Sequence, residues 1–237
     1  MTRVKNICIS TLKATFISLL CCYGTVGQAH PLAPADSNTP EQVNEDSIPF
    51  FRNVAVGVDI VGPIWFEVYD YGEYEASLRV NLKDKYFPVV ELGIGRAHVE
   101  DEASKITYKT AAPYARVGLD FNIMKNKHDV YRLYAGFRYA FTNFKYEIDH
   151  PGVKDPVWQN VATYHVKDVK CNCHWAELGI GVDAKIWGPL RLGWNVRYRR
   201  RLFHKDNEEV GKTWYVPGFG LSDNSEFGAN FNVVFEL

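Results

Sequence analysis

Cys171, Cys173 and His174 lie within four consecutive positions, with His165 a few residues upstream. Two thiols one residue apart have three chemical uses: a strained small-ring disulfide, a soft-metal site such as Zn2+ completed by the histidines, or a redox pair. A C-x-C pair is weaker evidence for metal than paired C-x-x-C knuckles. The disulfide, placed in the longest loop of the chain, is therefore carried forward, and no metal or cofactor site is assigned. Glu91-Leu92-Gly93-Ile94-Gly95 recurs as Glu177-Leu178-Gly179-Ile180-Gly181. Both runs lie inside strand-like alternation with no helix after them, so neither is a phosphate-binding loop. His150, Asp155, His165 and Asp168 are scattered, spacing assembles no catalytic set from them, and no catalytic residue is named.

A larger set of polar residues is spaced by twos. The acids are Asp59, Glu75, Glu91, Asp120, Glu177, Asp183 and Glu236; the bases are Arg79, Arg116, Arg132, Arg138, Lys185, Arg191, Arg197 and Arg199. Every one alternates with apolar neighbours, the pattern of a strand with two unlike faces. Eight such segments begin at residue 51. On one face they carry Val54–Val56–Val58, Tyr74–Leu78, Val90–Leu92–Ile94, Val117–Phe121, Tyr131–Phe141, Leu178–Val182, Leu192–Tyr198 and Phe227–Leu237. Between them lie connections of about 11, 4, 16, 7, 27, 3 and 25 residues, the long–short rhythm of an up-and-down barrel with tight turns at one end.

Length and charge bound the rest. The 237 residues carry 27 Lys and Arg against 28 Asp and Glu, so no basic field marks the chain for nucleic acid. Arg3 and Lys5, an apolar stretch from Ala14 to Tyr23, and Gly27-Gln28-Ala29 read as a secretory signal peptide over residues 1–29. Residues 30–50 contain Asp36, Glu41, Glu45 and Asp46, four prolines and no Lys or Arg, and read as a disordered acidic leader. The barrel domain is residues 51–237.

Alternation alone does not say which face is outside. A secreted lipocalin-type carrier would enclose a small apolar ligand with the apolar face, whereas a membrane barrel turns that face to lipid. The polar face is nearly neutral and rich in Arg, and it also holds Gly57, Gly93, Gly95, Gly118, Gly136, Gly179, Gly181, Gly193 and Gly228. Small residues beside long charged ones fit a narrow lumen of paired charges. Aromatic residues near the segment ends fit interfacial girdles. Arg199, Arg200 and Arg201, where the seventh segment leaves the barrel, suit either lipopolysaccharide phosphates or an ordinary charged rim.

With its signal peptide, eight segments and terminal Phe231-Asn232-Val233-Val234-Phe235-Glu236-Leu237, the chain resembles small bacterial outer-membrane β-barrels of the OmpA, OmpX and OmpW style. It is similar in particular to uncharacterised barrel families of Bacteroidetes. The resemblance implies an all-β, eight-stranded antiparallel up-and-down transmembrane barrel in the cell outer membrane. The expected partners are membrane lipid, lipopolysaccharide, the barrel-assembly machinery that reads the terminal strand, and an unknown extracellular partner. A structural or surface-interaction role without a general pore is the leading expectation. A lipid-modifying barrel enzyme stays as an alternative, although the His-x-Ser pattern of lipid A deacylases is absent around His98, His150, His165, His174 and His204.

Overall fold

The computed structural model describes residues 49–101, 105–154, 161–205 and 213–237. The signal peptide and most of the acidic leader lie outside them. Eight strands close into an antiparallel barrel: β1 (Phe51–Asp59), β2 (Tyr71–Leu82), β3 (Tyr86–Glu100), β4 (Thr107–Asn122), β5 (Tyr131–Lys154), β6 (Val161–Trp187), β7 (Leu190–Lys205) and β10 (Ser225–Glu236). Each pairs with its predecessor, and β10 closes on β1 with Ala55 opposite Glu236. The all-β, eight-stranded up-and-down reading therefore holds. Helix α1 (Val61–Tyr69) and a small hairpin, β8 (Tyr215–Val216) with β9 (Gly220–Leu221), are additions that periodicity did not reveal.

The apolar set faces outward. Leu178, Ile180 and Phe227 are 59%, 61% and 75% exposed, while Glu91, Arg116, Glu177 and Arg197 are buried. A lipocalin-type carrier needs the opposite arrangement, and that alternative is overturned: charged side chains, not a ligand pocket, fill the barrel.

Strand lengths depart from expectation at the loop end. β5 has 24 residues and β6 has 27, so most of the long connection expected between them is strand. Along β5 the outward positions are apolar from Tyr131 to Phe141, then become Asn143 and Lys145. The inward positions go from Arg132 and Arg138 to Phe144 and Tyr146. The same inversion occurs in β6, where Lys170 and Asn172 alternate with the buried Val169, Cys171 and Cys173. The backbone keeps its period of two while the hydrophobic face changes sides.

This second, inward-facing apolar set packs around the β8–β9 hairpin. Tyr108, Tyr114, Phe144, Tyr146, Trp175 and the hairpin's own Tyr215, Val216 and Phe219 form one buried cluster. The hairpin turn is type II: the Phe219 N–H donates to the Val216 carbonyl at 3.0 Å, with Pro217 and then Gly218 at φ +81° in the centre. A Cβ on Gly218 would lie 2.4 Å from the Tyr114 ring, so both the backbone and the space require glycine. Gly218→Ala should loosen this plug by about 1–3 kcal/mol, measured as faster limited proteolysis within residues 213–224 while the barrel stays intact.

α1 is seated by Asp59 at the end of β1. One carboxylate oxygen accepts the Gly62 N–H at 2.7 Å, the other the Phe231 N–H of β10 at 3.1 Å. Asp59 thus ties the helix start to the barrel seam and forms no ion pair among the described residues. Its expected place in the lumen charge network is corrected to a backbone cap.

Candidate functional site

Charged side chains of both signs from β2 to β7 meet in the middle of the barrel. Arg116 on β4 contacts Glu75 on β2 and, through Nε, Glu177 on β6 at 2.9 Å. Arg197 on β7 grips Glu91 on β3 with two parallel bonds of 2.7 and 2.9 Å, the fork geometry in which Arg is strongest. Arg138 on β5 reaches the same Glu91 at 2.9 Å and Asp120 at 3.0 Å. Arg79 joins Asp183 at 2.7 Å and receives Asp120 at 3.5 Å. Neutral donors finish the shell: Tyr114 Oη donates to Glu75 at 2.8 Å and Trp175 Nε1 to Glu177 at 2.7 Å.

Nearer the turn end, Arg132 and Arg191 share Glu236 at 2.7 and 3.2 Å. Eight arginines (52, 79, 116, 132, 138, 191, 197, 199) face eight carboxylates (73, 75, 84, 91, 120, 177, 183, 236) in these pairs. Burying such charges is tolerable when they are paired, and Arg52, the exposed member of the set, meets the buried Asp84 from the rim. Glycines make the space: a Cβ on Gly136 would fall 1.9 Å from the Asp120 carboxylate. Among the described residues, one small void is lined by Arg79, Asp120, Arg138 and Asp183 and another by Asn53, Arg132, Arg191 and Glu236. Each is about 10 Å3, room for about one water.

Lys185, like Asp59, leaves the predicted lumen set, and Arg199 and Arg201 leave the predicted lipopolysaccharide contact. Lys185 is exposed beside the irregularity between Lys185 and Trp187, where β6 turns into β7, and it joins no ion pair among the described residues. Arg199, read also as a lipid contact, is buried. It pairs with Glu73 at 3.3 Å and Glu177 at 3.5 Å and donates to the Phe219 carbonyl of the plug at 2.8 Å. Its position, two residues from Arg197 on the same strand, keeps it inward. Arg201 also turns in, donating to Ser222 Oγ at 3.2 Å with its guanidinium over the Phe219 ring. Of the Arg199–Arg201 run, Arg200 points out.

Cys171 and Cys173 are in β6, not in a loop, and both are buried. Alternate residues of an extended strand stand about 6.6 Å apart with parallel Cβ bonds, too far for the Cβ separation of about 3.8 Å that a disulfide needs. No disulfide joins them. Among the described residues no cluster of His, Cys, Asp and Glu is arranged to hold a metal ion. His165 pairs with Asp149 on the β5–β6 extension, and His174 faces outward beside Tyr139.

A second polar cluster escaped the sequence reading. Lys83 and Asp84 both adopt left-handed backbone angles in the β2–β3 turn. Asp84 is fixed by Asn81 Nδ2 at 2.7 Å, by His128 of the neighbouring turn at 2.8 Å, and by Arg52. Burial alone would raise this carboxyl. The hydrogen bonds from Asn81 and His128 and the Arg52 charge outweigh it and hold Asp84 below the usual carboxylate range. A depressed carboxyl contributes its stability above the unfolded value near pH 4 and loses it as the pH falls through the folded value. Denaturant midpoints should therefore fall below about pH 4. Asp84→Asn should make that acid limb shallower and cost about 1–3 kcal/mol at neutral pH.

Comparison with known proteins places the chain as follows. No curated protein matches it. Among solved structures, a major outer membrane protein from Thermus thermophilus aligns at 12% identity and TM-score 0.44, covering 78% of this chain and 98% of that one. Ail, the attachment invasion locus protein of Yersinia pestis, aligns at 9% identity and TM-score 0.39, covering 78% and 96%. Neisserial surface protein A aligns at 12% and 0.38, covering 78% and 94%. By sequence, residues 9–236 match the model of a family to which the chain belongs: Domain of unknown function, DUF6048.

Proposed function

We propose that this chain is an integral protein of the bacterial outer membrane. Its barrel serves as a closed, salt-bridged scaffold that presents the loop end to the outside in a structural or surface-interaction role. The observation that carries the reading is the outward apolar band. From Tyr131 to Phe141, ten residue steps along β5 measure about 33 Å, or about 25 Å along the axis at the usual strand tilt, the height of the apolar band of a membrane barrel. Above Phe141 the outward face turns to Asn143 and Lys145. Water on that side and lipid below it account for the inversion.

The paired interior and the plug, among the described residues, support a role without a general pore. The signal peptide of residues 1–29 directs export. The terminal strand, with Phe231, Val233, Phe235 and Leu237 outward, engages the barrel-assembly machinery. Lipopolysaccharide surrounds the loop end, an extracellular partner binds above it, and the source lies among Bacteroidetes.

Cell fractionation with heat-modifiable electrophoresis tests this. Recovery in detergent-extracted outer membrane, with a mobility shift on boiling, is expected. Recovery in a soluble fraction without detergent overturns it.

A further inference from the structure

We propose that the outer wall across β5, β6 and β7 carries a docking site for one anionic lipid, whose phosphate is held by Arg200 beside the Tyr139–His174 pair.

The wall is indented here. Along β6 and β7 the register runs Trp175 to Arg201 and then His174 to Phe203, so Leu202 is an extra residue and the strand bulges. Beside the bulge lies an open groove of about 520 Å3, lined by Tyr139, Asn172, His174, Leu202, Phe203 and His204. Tyr139 Oη and His174 Nδ1 are 2.8 Å apart, and the His174 ring stacks on Phe141, which fixes the imidazole at the groove edge.

Arg200 supplies the charge. It is exposed, opposite Ala176 and Ser225. It sits one row inside the upper edge of the apolar band, whose last row is Phe141, His174 and Phe203. Arg199 and Arg201 spend their guanidinium groups inside the barrel, whereas Arg200 has no ion pair among the described residues. A guanidinium among Tyr198, Phe227 and Phe203 needs an anion at that depth, and a phosphate accepts its fork of donors. The apolar wall below, Leu178, Val196 and Tyr198, suits the acyl chains of the same molecule. A charged head directly above apolar tails is the chemistry of a membrane lipid, and neither a soluble phosphate nor an acidic protein supplies both parts.

The site rests on the bilayer reading above, and the experiment separates the two. Wild type, Arg200→Gln, Arg200→Lys, His174→Ala and a turn-end control, Lys83→Gln, are placed in phosphatidylcholine nanodiscs containing a minor fraction of phosphatidic acid. Retained lipids are counted by native mass spectrometry. Wild type and Lys83→Gln should keep one phosphatidic acid in preference to phosphatidylcholine. Arg200→Gln should lower that retention by about tenfold or more, with Arg200→Lys and His174→Ala intermediate. Equal retention by wild type and Arg200→Gln, or no preference in wild type, overturns the site alone. A chain that does not enter the discs, scored by its heat-modifiable shift, overturns the bilayer reading and the site together.

Discussion

Replacing Arg116 with Met should destabilise the barrel by about 3–5 kcal/mol, the loss expected when one partner of a buried ion cluster is removed and the others stay charged. Arg116 faces Glu75 and Glu177 across the lumen and donates to the Gly218 carbonyl of the plug at 2.6 Å. Its removal takes the nearest cation from two buried carboxylates, leaving them only the longer ion pairs with Arg197 and Arg199, and unlatches the hairpin. The hydrophobic volume of Met replaces the packing but not the charge. Adding Glu75→Gln and Glu177→Gln should restore part of the loss, because neutral amides cost less to bury. Urea titrations of the refolded protein in detergent micelles, read by the heat-modifiable shift, compare both variants with wild type. A single variant as stable as wild type would show that the network is replaceable by apolar contact.

The second large effect is expected on the opposite face. Leu178 lies in the row Phe137, Leu178, Tyr198, near the middle of the apolar band. Leu178→Arg should cost about 2–4 kcal/mol in bilayers, the range for Arg at the midplane of a barrel's lipid face. Asn143→Arg, on the same outward surface but beyond the band, should change stability by about 0.5 kcal/mol or less. The contrast matters more than either value. A soluble protein would tolerate both changes alike, so the pair measures where lipid ends.

What can be read from sequence follows from that boundary. In the band, an outward Leu178 beside an inward Glu177 gives a strong two-residue contrast, and the eight strands and most of the inward charges are legible, although Glu73 is missed and Lys185 is exposed. Above it, Phe144 and Tyr146 turn in while Lys145 turns out. A period search tuned to one phase stops there and reports a loop, which puts Cys171 and Cys173 in a loop and gives them a ring closure that strand geometry refuses. The plug does leave a signal, Pro217-Gly218 between apolar residues, which is a type II turn signature. Nothing in the string shows that such a turn folds inward. α1 is hidden for a different reason: Gly62 and Pro63 lower its intrinsic helix propensity, and Asp59, outside the helix, secures its start. Asp84 is visible as a turn residue, but its partner His128 lies 44 positions away.

The barrel seam carries one more consequence, and it concerns time. The bonds that neutralise the interior join distant parts of the chain: Arg199 and Glu73 are 126 residues apart, Arg132 and Glu236 are 104. Such contacts form only when the first and last strands meet, and proteins dominated by distant contacts fold slowly. Until then the same arginines and carboxylates stand in a wet, open sheet. Expelling water, inserting the plug and pairing the charges therefore belong to one closing event, whose rate should respond to substitutions in β10 far more than to equal changes in β4.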